Sequence, residues 1–144
     1  VPKRAFPRKH DDILFYAKGD EYTWKPDRIQ IPKATAGTAF DKSGDGRKIP
    51  TDVWEDIGNF HTMSTERIKG VNWQKPERLI ERIVLTTTET LDRVFDPFMG
   101  GGTTAAVCLK NGRYSVGIEI DEDIYKKAVE RIVVLDNKIL DSKE

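Results

Sequence analysis

The stretch Val94-Phe95-Asp96-Pro97-Phe98-Met99-Gly100-Gly101-Gly102-Thr103-Thr104-Ala105-Ala106 constrains the fold more than any other part of the chain. A short apolar run ends in an acid and a proline. Three consecutive glycines follow, and then a run with helical texture that stops at Asn111-Gly112. The next apolar run, "YSVGIEI" (114–120), again reads as a strand. Two strands separated by a turn and a helix form a βαβ unit, which implies a parallel sheet with a right-handed crossover. The expected class is α/β, with a mostly parallel sheet and flanking helices.

The flanking sequence extends this unit. Pro76 suits the first turn of a helix, where its lacking N–H has no partner to lose. Leu79, Ile80, Ile83 and Val84 then recur at helical spacing, so a helix is expected over 76–88. "RVFDP" (93–97) reads as a short buried strand, and 103–112 as a helix closed by Asn111-Gly112. Asp121 can cap a last helix. The helix it opens is expected over 122–136, with Ile124, Tyr125, Ala128, Val129, Ile132 and Val133 on its inner face. Upstream, "DDILFYAKG" (11–19) and "EYTWKP" (21–26) read as two strands of a hairpin around Gly19-Asp20. Residues 32–50 are rich in Gly, Ser, Thr, Pro and Lys and read as an exposed, mobile loop. Residues 51–74 are irregular, with tryptophans of a buried type. The chain thus divides into a hairpin region (1–31), a loop-rich segment (32–74) and a helix–strand–turn–helix–strand–helix unit (75–144), all within one partial domain (1–144).

Composition narrows the function classes. The 144 residues carry 24 Lys plus Arg and 24 Asp plus Glu, so there is no global nucleic-acid signature. Charge is uneven, however: residues 1–50 hold 11 basic and 7 acidic side chains, against 13 and 17 in residues 51–144. A basic front half can face phosphates or can simply be a solvated surface. The single cysteine, Cys108, excludes an internal disulfide and is expected in the core. No apolar run approaches the ~18 residues of a membrane span. A cytoplasmic protein is expected. The chain opens "VPKRAFPRKH" without Met, which suggests processing, truncation or a piece of a larger protein.

A glycine turn between a parallel strand and a helix lets a ligand touch main-chain atoms. The helix beyond it presents unpaired N–H groups and a positive dipole end. Glu119 ends the next strand, 19 residues after Gly100, a spacing that suits a carboxylate receiving both hydroxyls of a ribose. The unit reads as a nucleoside-cofactor site; the alternative is a ligand-free tight turn with Glu119 merely solvated. Residues 100–105 formally fit a dinucleotide fingerprint. Asp96, immediately before the turn, argues against it, because a carboxylate there repels a pyrophosphate and instead suits a cationic amine. So does the position of the unit, since a dinucleotide domain needs several more strands after it.

At these residues the chain resembles a known family. Asp96-Pro97-Phe98-Met99-Gly100-Gly101-Gly102-Thr103-Thr104 is similar to the D-P-F-x-G-S-G-T-T cofactor motif of the S-adenosylmethionine-dependent DNA amino-methyltransferases, with Gly101 in place of the serine. "QKPERLIERI" (74–83) resembles the family's preceding helix, and "GIEID" (117–121) its ribose-binding segment. "HDDILFYAK" (10–18) and "DVWE" (52–55) match further stretches. Asn72-Trp73 departs from the family's usual lead-in to Gln74. The resemblance implies that Lys75, Asp96, Phe98, Gly100, Gly102, Thr103 and Glu119 line a site for S-adenosylmethionine. Asp96 would meet the methionine amino group, Glu119 the ribose and Lys75 the carboxylate side. It implies direct attack of an adenine or cytosine amino nitrogen on the methyl group, with no catalytic cysteine.

The resemblance also implies a permuted motif order, with a catalytic [DNS]-P-P-[YFW] motif ahead of the cofactor motif. This chain has no such motif, so no catalytic residue is assigned. It reads as a C-terminal portion, and an N-terminal portion bearing D-P-P-Y is expected as a partner, in the same gene or on a separate chain. Double-stranded DNA is the other expected partner, no membrane is, and homo-oligomerisation stays open. The 32–50 loop falls where the family places target recognition, with Lys33, Lys42, Arg47 and Lys48 as candidate phosphate contacts or as parts of a plain connector. Trp24, Trp54 and Trp73 could stack on bases, but packing against apolar neighbours is the expectation. No metal constellation is present in the sequence. Two further readings remain, a non-catalytic cofactor- or DNA-binding relic or subunit and, remotely, a dinucleotide protein. A bacterial, phage or mobile-element origin is expected.

Overall fold

The computed structural model describes residues 10–58 and 66–142; parts of the expected hairpin region (1–9) and loop-rich segment (59–65) lie outside them. The core of the fold is the unit foreseen around the glycines. Helix α1 (Glu77–Thr87) leads to strand β3 (Arg93–Asp96), the glycine turn, α2 (Thr103–Lys110), β4 (Tyr114–Gly117) and α3 (Glu122–Asp141). β3 and β4 pair in parallel, Arg93 opposite Tyr114 through Asp96 opposite Gly117.

Each element has a local cause. Pro76 caps α1 in an extended conformation rather than sitting inside it. The hydroxyls of Thr86, Thr87 and Thr88 donate back to the carbonyls of Arg82, Ile83 and Val84, and the chain leaves the helix extended at Thr88. Asn111 caps α2 and Gly112, at φ 70°, turns the chain away. Asp121 accepts the Ile124 amide at 3.0 Å and so caps α3.

Val84, Val107 and Cys108 are buried together, with Ile80 and Val94 packed on them, so α1 and α2 cover one face of the β3–β4 pair. The Arg113 guanidinium stitches the end of α1 to the entry of β4. It donates to the Thr88 carbonyl and hydroxyl at 3.0 and 3.2 Å and to the Asn111 carbonyl at 2.6 Å.

Several expectations change. β3 is not a buried strand: Phe95 is 61% exposed, because among the described residues only one face of the pair is covered. α3 runs past 136 to Asp141, since Leu135 and Ile139 continue its inner stripe. That stripe is Ile124, Ala128, Ile132 and Leu135 with Lys127 and Arg131, while Tyr125, Val129 and Val133 face outward. The N-terminal hairpin does not form a ladder. Residues 11–17 and 21–25 hold no regular structure, although the chain doubles back so that Phe15 meets Tyr22 and Trp24 at ring distances of 5.4 and 5.6 Å. Two apolar legs without a third strand or a helix beneath them bury too little to fix a ladder.

The antiparallel pair lies further on, where β1 (Ile31–Pro32) meets β2 (Arg47–Lys48) and closes the 33–46 loop. Trp73 is 88% exposed and Trp24 about half exposed, so neither is packed as expected. Trp54 is half-buried, its ring 4.8 Å from the Arg82 guanidinium.

Candidate functional site

The glycine turn is built by backbone bonds at both ends. Met99 N–H donates to the Ile118 carbonyl at 3.0 Å and Gly102 N–H to the Met99 carbonyl at 2.9 Å. Gly100 and Gly102 hold φ of 50° and 72°, the left-handed region that glycine occupies without penalty. The three glycines do different jobs. A Cβ on Gly102 would lie 3.2 Å from the Cβ of Ala128, so this position sets the approach of α3 to the start of α2. A Cβ on Gly101 would lie 2.8 Å from Ile68 Cδ1, so it packs against the incoming loop. Among the described residues a Cβ on Gly100 would meet only the Phe98 carbonyl, at 4.0 Å, leaving this backbone open to a ligand.

Two carboxylates flank that opening. Asp96 accepts the Phe98 amide at 3.1 Å and the Thr104 hydroxyl at 2.6 Å. Glu119 accepts the Gly100 amide at 3.0 Å with one oxygen and the Asp121 amide at 3.0 Å with the other. Each oxygen keeps a lone pair for a further donor. Glu119 therefore ties the glycine turn to the cap of α3. Phe98 stands beside the turn, almost fully exposed.

Thr103 is buried. Its hydroxyl lies 3.4 Å from the Lys75 carbonyl, which brings the 74–76 segment against the head of α2. The Lys75 ammonium itself points outward and pairs with Asp11 at 3.1 Å. Gln74 is buried and clamps the preceding loop, accepting the Ile68 amide at 2.9 Å and donating to the Glu66 carbonyl at 2.7 Å.

Asp96, Gly100, Gly102, Thr103 and Glu119 thus gather along the turn and the first residue of α2, with Phe98 at its rim and the Lys75 carbonyl, but not its ammonium, beside Thr103. Of the four basic loop residues, Lys33 and Arg47 are engaged within and beside their own loop. The Lys33 ammonium is held by Asp41 at 2.8 Å, Asp45 at 3.3 Å and the Ser43 hydroxyl. These contacts raise the Lys33 pKa and lower that of Asp41, while Asp45 is lowered to about 2, first by its bond from Ser43 and then by the Arg47 amide and Lys33. Arg47 donates to the Gln30 carbonyl at 2.7 Å. Lys42 and Lys48 are exposed.

Sequence reasoning missed residues that hold this region. Arg131 donates to the Gly101 carbonyl at 2.9 Å and pairs with Glu77 at 2.7 Å, and Lys110 also pairs with Glu77. The two cations hold the Glu77 carboxyl below its ordinary range against the opposing effect of burial. An arginine on the inner stripe of α3, three residues after Ala128, was the available signal. The buried Arg82 grips Asp56 through both nitrogens at 3.0 and 2.6 Å, and Arg78 joins at 2.7 Å. Among the described residues no group of acids, histidines and cysteine forms a metal site, and no helix is long and apolar enough to cross a membrane.

A model of the DNA methylase family matches residues 1–130. The type II methyltransferase M.BglII of Bacillus subtilis is 39% identical over 128 residues, covering 83% of this chain and 35% of that protein. M.HpaI of Haemophilus parainfluenzae is 35% identical over 130 residues, covering 90% and 40%. The DNA adenine methyltransferase YhdJ of Escherichia coli K12 is 30% identical over 141 residues, covering 92% and 47%. Among solved structures, an M1.HpyAVI–SAM complex shares 37% identity over 43% of this chain and 31% of that one, with a TM-score of 0.42. The chain therefore spans between about a third and a half of the length of these relatives.

Proposed function

The chain belongs to the DNA methylase family, and we propose that it forms the S-adenosylmethionine-holding part of an enzyme that methylates an exocyclic amino group of adenine or cytosine in double-stranded DNA. The observation that carries this reading is the Glu119 carboxylate fixed against the Gly100 amide, beside backbone that no side chain among the described residues fills. Those residues fit the cofactor. A diol suits a carboxylate whose two oxygens are already oriented and still accept. The cofactor's ammonium suits Asp96, whose carboxylate is held in place by Phe98 and Thr104. When bound, S-adenosylmethionine supplies an activated methyl group. The protein residues bind and orient it: Gly100 permits close approach, Thr103 begins the helix whose dipole faces the site, and the exposed Phe98 offers a flat apolar surface. Lys75 serves the carboxylate side on release from Asp11.

Lys42, Arg47 and Lys48 are proposed DNA phosphate contacts. Lys33 is the weakest of the four for that role, since two carboxylates already neutralise it. In-line transfer needs the target nitrogen held about 3–3.5 Å from the methyl. No D-P-P-Y-type motif occurs in the chain to hold it, so that positioning falls to the rest of the enzyme, in the same or a separate polypeptide. The same observation favours a second reading, a cofactor- or DNA-binding subunit without chemistry of its own.

Titration calorimetry with S-adenosylmethionine and with NAD tests the cofactor assignment; tighter binding of NAD overturns it. Labelled-methyl transfer to duplex DNA separates the two readings. No transfer is expected from residues 1–144 alone, and recovery is expected when a portion bearing D-P-P-Y is supplied. Failure to recover leaves the non-catalytic subunit.

A further inference from the structure

The peptide between Gly101 and Gly102 is held at both ends. Its N–H, on Gly102, donates to the Met99 carbonyl at 2.9 Å. Its carbonyl, on Gly101, accepts from the Arg131 guanidinium at 2.9 Å. Among the described residues no backbone amide donates to that carbonyl. Glycine stands on both sides of this peptide, so no Cβ restrains its rotation and the hydrogen bonds must. The Gly102 carbonyl accepts the Ala106 amide at 2.9 Å and so starts α2, which passes any rotation here into the first turn of that helix. Arg131 comes from the middle of α3 and is itself aimed. Its other terminal nitrogen donates to Glu77 at 2.7 Å, and Lys110 at the end of α2 holds the same carboxylate. The Arg131 side chain is 16% exposed and that of Glu77 18%. A pair so withdrawn from water adds little net stability over apolar side chains of the same size, so its consequence lies in what it orients. The Arg131 guanidinium also lies 3.4 Å from the Thr103 hydroxyl, the group that meets the Lys75 carbonyl. One side chain of α3 thus joins the glycine turn, the head of α2 and the entry of α1.

We propose that Arg131, aimed by Glu77, is a positioning residue for the cofactor site: it pins the Gly101–Gly102 peptide and holds the glycine turn in its binding form before S-adenosylmethionine arrives. This rests on the methylase reading above. Glu119 pins the same turn one peptide earlier, at the Gly100 amide, from the opposite end of the site. The two pins divide the work. Glu119 meets the ligand and braces the turn, whereas Arg131 reaches the ligand only through the backbone it holds. A turn of three glycines is costly to order at the moment of binding, and a side chain that orders it beforehand lowers that cost.

The test uses Arg131→Met, which keeps the length of the side chain and removes its donors. Amide exchange is measured on the ligand-free chain, and S-adenosylmethionine affinity by calorimetry on the enzyme completed by its other part. The Gly102 amide should exchange at least tenfold faster relative to the Val107 and Cys108 amides of α2. Cofactor affinity should fall about ten- to a hundredfold, the range for a lost hydrogen bond to a charged donor. Ile132→Ala trims apolar packing from the same helix but removes no hydrogen bond. It should speed the Gly102 and α2 amides together and leave cofactor affinity within about twofold, which separates a positioning role from a loss of stability. Arg131→Lys covers the case in which Arg131→Met does not fold. It keeps a cation for Glu77 but lacks the planar fork that reaches the Gly101 carbonyl as well, and it should loosen Gly102 in the same sense. A Gly102 amide that keeps its protection, or loses it only in step with α2, overturns the proposal. So does a loosened Gly102 with unchanged cofactor affinity. A wild-type enzyme that binds no S-adenosylmethionine breaks the functional reading instead, while the exchange of Gly102 still decides whether Arg131 pins the turn.

Discussion

Residues 75–142 and residues 10–58 are held by different forces. The first region has a core of Val84, Val107 and Cys108, a helix α3 capped by the Asp121 side chain and a parallel pair. The second has no fully buried residue. It is fixed by charge and by backbone bonds to α1 and its exit. Lys25 N–H donates to the Thr86 carbonyl at 2.8 Å, Arg28 donates to the Thr88 carbonyl at 2.9 Å and pairs with Glu89, and Asp56 is gripped by Arg78 and Arg82. The C-terminal region supplies its own order and the N-terminal region borrows order from it. Damage to α1 or α2 should therefore spread forward, while damage to the front should remain local.

The severest test of that asymmetry is Gly102→Val. A branched side chain at φ 72° is strained, and its Cβ would press on Ala128 at 3.2 Å. A loss of about 3 kcal/mol or more is expected, seen in chemical denaturation as loss of both regions together. Persistence of the 75–142 core would break the comparison.

Next is Asp56→Ala, which leaves the buried Arg82 guanidinium without its carboxylate. A cost of about 2–3 kcal/mol is expected, at or below the low end for a broken buried pair because Asp56 is partly exposed. Amide exchange should rise in 51–58 while the α2 amides keep their protection. Equal rises in both would show that the front half supports the back.

Glu119→Gln should weaken S-adenosylmethionine binding by about 1–3 kcal/mol, through loss of a charge-assisted acceptor. Calorimetry on an enzyme completed by its other part checks this, and an unchanged affinity removes the ribose role. Stability should move little, since glutamine keeps one acceptor for the Gly100 or Asp121 amide.

The smallest effect is the acid response of the 33–46 loop. The Asp45 carboxyl lies at about 2 instead of 3.8. A carboxylate depressed by folding stabilises fully above its unfolded value and loses that contribution as pH falls through the folded one. The loop should therefore be tightest above pH about 4 and loosen between about 4 and 2, followed by the amide proton shift of Arg47. Lys33, raised above 10.5, keeps its contribution below that value and loses it only at higher pH.

The same division explains what could be read from the sequence. The elements of 76–120 were legible because each is encoded locally: the spacing of Leu79, Ile80, Ile83 and Val84, the Gly100 and Gly102 turn, the Asn111-Gly112 stop and the Asp121 cap. The hairpin around Gly19 was misread because strand propensity in Ile13–Tyr16 has no effect without a partner sheet. The exposure of Phe95, Trp24 and Trp73 was misjudged because burial depends on what lies opposite, which the local sequence does not state. The Arg82–Asp56 and Arg131–Glu77 pairs span 26 and 54 residues and leave no periodic trace. At the candidate site, the residues were legible as a motif. That Glu119 and Asp96 brace the turn with their own hydrogen bonds was not.

The loop closed by β1 and β2 carries a further consequence. Asp41, Ser43 and Asp45 place three oxygen acceptors at alternate positions, with Gly46 turning the chain and donating to Asp41 at 2.8 Å. The cation they surround is the Lys33 ammonium, attached to the same backbone just after β1. A counter-ion recruited from solution would make the loop's shape vary with the medium. A tethered one acts at an effective concentration on the order of millimolar or more, whatever the bath contains. The loop thus carries its own counter-ion in the sequence and needs none recruited from solution, and salt acts on it by screening the partly exposed Lys33–Asp45 pair.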